Sequence, residues 1–414
     1  MKKLITLFLA LTLIFGITII ASADIYDFGG ETIYFHGGLG PFGEGEIFEG
    51  RLEEAEDKFN VNIESENMNW EDTTEELMAR LLSGESTNDI YKLQSRQWWD
   101  VAPQGHSYPV GDILDEEYYD SLPEYYQSVA ENDFSYGGKK YGFGWEPGVP
   151  QLTWIAYNPD VFEEFGLTDP YELYEAGEWN WENFLELAEE VTRDTNGDGD
   201  IDTMSIWLGG PPTGVLNFAL SNDARLISEV DGRYEFTGDE DEYIETIRFV
   251  RDLREKTAAY GWYNDFNDGN LAMFRAAWFR LSQLENFHLL PFPKGPNSDR
   301  YVFPAEANSQ FVIPTNSSHP EGKVELVKYL YEDIEASDEA LDNAFSDVAK
   351  EKRDYEILWK ALESYENDSE YAHRVLPDSV NEHIAKAVEG EMGARAAMEA
   401  VADEAQAAID DVLN

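Results

Sequence analysis

The sequence predicts an α/β fold in a chain long enough for two domains. Three observations carry this. Strand-like and helix-like segments alternate from the first residues past the leader, which calls for parallel strands joined by crossover helices. A second alternating set follows after about residue 150. The 414 residues include 11 Trp, 23 Tyr and 23 Phe, enough apolar bulk for a large core with aromatics left for a binding surface.

Thr32–His36 reads as a first strand, followed by a glycine-rich loop and a helix over about Ile47–Phe59. Phe48, Leu52, Ala55 and Phe59 share one face of that helix. Val61–Ile63 is a second strand, Thr74–Leu82 a helix stopped by Ser83-Gly84, and Asp89–Leu93 a third strand. Tyr141–Trp145 and Leu152–Tyr157 are extended. Asn158-Pro159-Asp160 starts a helix that Gly166 ends, and Asn180 caps another from Trp181 to about Thr192. Thr203–Leu208 is a strand, followed by alternating helical and polar segments to about Asn286. His288–Phe292 and Phe311–Ile313 are strands, Pro320–Tyr331 a helix, and Val380–Leu413 a helical tail. Pro291–Pro296 reads as a connector between domains. No internal repeat is present.

Met1, Lys2 and Lys3 precede an unbroken apolar run from Leu4 to Ile20 and then Ala21-Ser22-Ala23. That is the layout of a secretory leader, with cleavage expected after Ala23. The chain has no cysteine, which excludes disulfides, thiolate metal sites and a cysteine nucleophile. The net charge is −55, from 84 acids against 29 Lys and Arg. Such a surface repels nucleic-acid phosphates. The acids are scattered through every segment, as expected of a surface adapted to high salt, where self-repulsion is screened.

Several stretches, in this order, resemble family 1 extracellular solute-binding proteins of ABC importers, the maltose-binding type. They are Ile155–Phe162 with Phe165-Gly166-Leu167, Gly177–Phe184, Asn270–Phe274 running to Trp278, Pro291–Pro296, Phe311–Pro314 and His319-Pro320-Glu321. The resemblance implies the type II binding-protein fold: two α/β lobes joined by crossing hinge strands, with ligand between them. It places 24–150 plus 297–335 in the N-terminal lobe and 151–296 plus 336–414 in the C-terminal lobe. It implies a carbohydrate ligand, transmembrane permease subunits as partners, a monomer, and no catalysis. With the leader and no lipid-anchor cysteine, the expected location is the periplasm.

Sugar rings present apolar faces that aromatic planes complement. Trp70, Trp98, Trp145, Trp207 and Trp278 stand at or after strand ends or in matching segments, and Tyr141 opens an extended run. By resemblance, Glu146 matches an acid that bonds sugar hydroxyls, Trp278 a stacking aromatic, and Ser95 and Arg96 a polar pair after the third strand. Asn308, Asn69 and Trp154 are further candidates, while Trp179 and Trp181 belong to the core. Asp194, Asn196, Asp198, Asp200 and Asp202 lie in a run that resembles the start of an EF-hand calcium loop, although its twelfth position is Ser205 rather than Glu. No cofactor is required; the run is either a weak structural Ca²⁺ site or a polar turn built of good turn residues. Gly38–Gly43 matches G-x-G-x-x-G, but Glu44 and Glu46 would repel a pyrophosphate, so a flexible loop at a cleft mouth is expected instead. His36 reads as a surface histidine, and no H-E-x-x-H or G-x-S-x-G occurs. A secreted glycoside hydrolase or a lectin is the alternative.

Overall fold

The computed structural model describes residues 26–39, 50–66, 70–84, 88–122, 124–144, 150–259, 261–305, 308–331, 338–366 and 375–414. The leader, Asn69, Trp145, Glu146 and most of the glycine-rich loop lie outside these residues, as do the side chains of Trp70 and Arg96.

Two four-stranded sheets organise the chain. The first holds β1 (Glu31–His36), β2 (Val61–Glu66), β3 (Asp89–Gln94) and β8 (Ser309–Val312), in the order β8-β3-β1-β2. The second holds β4 (Thr153–Tyr157), β5 (Met204–Trp207), β6 (Leu271–Ala277) and β7 (His288–Leu290), in the order β7-β4-β6-β5. As the alternation of strands and helices requires, β1 runs parallel to both β2 and β3. The antiparallel β8 returns from far along the chain to close the β3 edge.

Burial follows position in each sheet. The central β4 and β6 are buried at every residue, and β3 at all but its last. The edge strand β2 ends in exposed Glu64, Ser65 and Glu66, charge and polarity that discourage pairing with another chain. Helix starts follow local chemistry. The Asn158 side chain accepts from Asp160 N–H, Pro159 fills the first helical position, and Gly166 ends the helix in the left-handed region at φ 66°. Asn180 likewise accepts from Asn183 N–H at 3.0 Å. Trp179 and Trp181 are core residues: their indole N–H groups donate to Pro291 O and Ser221 Oγ, and Trp181 stacks on Phe249 at 4.2 Å.

Three sequence expectations need correction. Residues 271–277, read as part of a helical and polar stretch, form an inner strand of the second sheet. Leu, Ala and Met favour helix locally, but burial between two strands overrides that preference. Pro291–Pro296 is no connector. Lys294 O accepts from Trp181 N–H, Gly295 N–H donates to Ser221 O, and Phe292 bridges to Val302, all within the second lobe. Residues 297–304, expected in the first lobe, are fastened to the second by Asn297 to Asn222 and Glu245 and by Arg300 to Asp223.

Among the described residues, the order of elements changes from one sheet to the other three times. Phe143, bridged to Phe311 beside the first sheet, leads towards β4 in the second. Ala305, bridged to Leu152, leads back to β8. The helix Pro320–Tyr331, packed on the helix Arg51–Phe59, precedes Asp338–Val348, whose Phe345 meets Trp278 of the second lobe. Two lobes joined by paired crossing segments are the result.

Candidate ligand-binding site

In α/β sheets ligands gather outside the carboxyl ends of the strands. Here those ends are His36, Glu66 and Gln94 in the first lobe and Trp207 and Ala277 in the second. Antiparallel partners bring the crossings to the same edges: Ser309 pairs with Gln94, and Thr153 with Ala277. Both carboxyl edges therefore border the crossings, and the space between the lobes is the candidate site.

On the first lobe the expected residues divide. Ser95 and Asn308 meet at this edge, with Ser95 N–H donating to Asn308 O at 2.8 Å. Asn308 Nδ2 donates to Asp133 Oδ2 at 2.9 Å, and both Ser95 and Asn308 are buried. They shape the rim from within. Trp98 is a core residue rather than a surface platform: it is fully buried among Trp99, Phe134 and Tyr141, and its indole faces Ser107. Its helix, Ser95–Val101, folds back onto β3 and carries the ring inward. Tyr141 is half-buried against Trp98, with its ring 5.5 Å away. At the first crossing, Gly144 N–H donates to Tyr118 Oη at 2.9 Å. Burial pushes the Tyr118 phenol up to about 12, so it stays neutral there.

The second lobe presents aromatic surface. Trp278 begins the short helix after β6, and its N–H donates to Leu152 O at the crossing. Its half-buried ring lies against Trp154 at 6.2 Å and Phe345 at 5.8 Å. Trp154 is fully enclosed with an indole N–H that has no hydrogen-bond partner, the kind of donor a water or ligand satisfies. Trp207, at the end of β5, stacks on Phe274 at 4.6 Å and takes Trp262 edge-on at 4.7 Å. Arg280 lies over Trp262 at 5.2 Å, and Phe279 beside it is 52% exposed.

Trp262, Phe279 and Arg280 were not legible as site residues. Trp262 adjoins no strand in the sequence and only the tertiary fold sets it on Trp207. Aromatic faces beside a guanidinium can bind a polyhydroxylated ring by stacking and hydrogen bonding.

His36, expected at the surface, is fully buried. It stacks on Tyr91 and lies 3.2 Å from Asp89. Burial opposes the Asp89 charge, but the His36 and Arg80 contacts outweigh it and hold its carboxyl below the usual range. In the calcium-like loop the Asp194 oxygens accept from Gly197 and Gly199 N–H, and Asp202 accepts from Thr195 and Asn196. These bonds hold both carboxyls below their usual range. Asn196 and Asp198 each accept from the N–H two residues on, and Asp200 follows in the same exposed turn.

A family model described as bacterial extracellular solute-binding protein matches residues 43–336, well over half of the chain. The chain belongs to this family. A fructooligosaccharide ABC transporter substrate-binding protein, FusA of Streptococcus pneumoniae, is 25% identical to this solute-binding protein over 236 residues. That match spans 49% of the chain and only 41% of the relative. Among solved structures, the cyclic α-maltosyl-1,6-maltose binding protein of Arthrobacter globiformis superposes with a TM-score of 0.69 at 13% identity, covering 92% of this chain and 99% of that one. UgpB of Mycobacterium tuberculosis, in complex with glycerophosphocholine, gives 0.66 at 18% identity, covering 92% and 98%. These likenesses establish the two-lobed binding-protein fold.

Proposed function

We propose that this chain captures a carbohydrate, a sugar or oligosaccharide, between its lobes outside the membrane and delivers it to the permease subunits of an ABC importer. The observation that carries the reading is the aromatic surface of Trp278, Trp207 and Trp262 at the carboxyl edge of the second sheet, next to the crossings. Closing the lobes over ligand would create the shape a permease recognises, a shift between open and closed populations. The reading gives the chain no catalytic step, a monomeric state and a periplasmic location. Family membership and the sugar-binding relatives favour it over a hydrolase or a free lectin.

Trp278→Ala is expected to weaken carbohydrate binding about 30-fold, the effect of losing a central stacking residue worth ~2 kcal/mol, while unfolding stays cooperative. Titration by tryptophan fluorescence measures this, and unchanged affinity would remove Trp278 from the site. We also propose that the loop of Asp194, Asn196, Asp198, Asp200 and Asp202 takes a structural Ca²⁺ that stiffens the second lobe. Chelation is then expected to lower the melting temperature by a few degrees, about 1–2 kcal/mol. An unchanged melting curve would count against the ion.

A further inference from the structure

His36 closes β1 with its ring sealed from solvent. The ring stacks on Tyr91 with centroids 4.6 Å apart. Its Nδ1 lies 3.4 Å from a Glu66 oxygen and its Nε2 lies 3.2 Å from Asp89 Oδ1. Asp89 faces Nε2 at contact distance, whereas Nδ1, enclosed like the rest of the ring, has no hydrogen-bond partner. A buried polar group in that state calls for a missing partner. Glu76, on the helix Trp70–Ser83, completes the surroundings: one ligand atom from each of His36, Glu66 and Glu76 falls within 4.8 Å of the others.

We propose that His36, Glu66 and Glu76 bind a divalent transition metal, with Zn²⁺ as the ion that fits best. One imidazole and two carboxylates are a nitrogen and oxygen donor set suited to zinc, and three protein ligands leave a fourth position for water. Neighbouring ligand atoms around tetrahedral zinc lie roughly 3.3 Å apart, given bonds of about 2.0–2.1 Å. The His36–Glu66 pair already stands at 3.4 Å, so only Glu76 has to draw in. Asp89 sits on the opposite side of the ring, where an outer carboxylate fixes the tautomer of a ligating histidine. Arg80 bonds Glu76 through Oε1 and Asp89 at 3.0 Å, which orients both carboxylates and leaves Glu76 Oε2 for the metal. The side chain of Glu66 is 57% exposed, so the ion has a route in from solvent. Once bound, it pins the ends of β1 and β2 to the helix that carries Glu76, beside the interlobe space. The inference does not depend on what that space binds.

With so many surface acids, loosely held cations must be separated from a built site. Co²⁺ added to the full chain at about 1 M KCl, where surface charge is screened, serves as the spectroscopic probe. The expected result is the visible absorption of four-coordinate cobalt at one ion per chain, displaced by Zn²⁺. Glu66→Gln, an exposed change that leaves the fold intact, is expected to weaken the signal at least tenfold, and Glu66→Gln with Glu76→Gln to abolish it. Glu64→Gln, on the same strand, is expected to leave it unchanged. Absence of the absorption, or its survival in the double variant, would overturn the proposal.

Discussion

Asp354→Ala is expected to destabilise the protein by about 3–5 kcal/mol, the cost of breaking a buried charged hub by removing one partner. The Asp354 carboxylate is fully buried. It accepts from Leu289 N–H at 3.0 Å, Glu351 N–H at 2.9 Å and Lys350 N–H at 3.2 Å, and meets His288 Nδ1 at 3.0 Å. One side chain thus caps the helix Lys352–Glu363 and ties it to β7, the edge strand of the second sheet. Alanine leaves the Leu289 N–H and the His288 imidazole enclosed and unpaired, each at about 1–3 kcal/mol. Urea unfolding reads the loss as a lower midpoint at unchanged slope. A loss below about 1 kcal/mol would mean that the donors find other partners.

Salt is the second large lever. At −55 the chain repels itself, and its ion pairs are mostly exposed, as in Arg233–Asp410 and Arg395–Asp241. Such pairs offset little. Some acids are well placed, Glu53, Glu54, Asp241 and Glu242 among them, in the first turns of their helices. On the high-salt reading the rest are offset by counterions. The screening length shrinks from about 10 Å at 0.1 M to about 3 Å at 1 M. The melting temperature is therefore expected to rise by about 10 °C over that range of KCl, the shift that ~3 kcal/mol brings in a large domain. Sucrose, which strengthens burial without screening, should not replace the salt. Equal stability at low and molar KCl would sink the high-salt reading.

Much of the fold was legible because local chemistry and tertiary position agree. Asn158-Pro159, Gly166 and Asn180 signal helix ends that stand where the sequence puts them, and the parallel β1, β2 and β3 follow from alternation alone. Legibility failed where the environment decides. Leu271–Ala277 carries helix-favouring residues into a fully buried strand. Pro291–Pro296 looks like a linker until Trp179 and Ser221 are seen holding it. His36 ends its strand as expected, yet the helix Trp70–Ser83 and Tyr91 enclose it, which no pattern in β1 announces.

The site divides in the same way. Trp207 was legible because it stands near the end of an expected strand, and Trp278 because it lies in a stretch that resembles the family. Trp98 has the same sequence position after β3 but turns inward, because its helix packs back onto the sheet. Trp262 and Arg280 come together from segments 18 residues apart, a juxtaposition that only the three-dimensional fold makes.

Thermal unfolding of the chain in molar salt against a panel of mono- and oligosaccharides tests the central claim most directly. A ligand that binds only the folded state adds ~2.7 kcal/mol at 100 times its Kd. Carbohydrate capture predicts a raised melting temperature with at least one sugar, which is recovered unchanged. No shift with any sugar, or cleavage of the sugar that shifts it, would contradict the account.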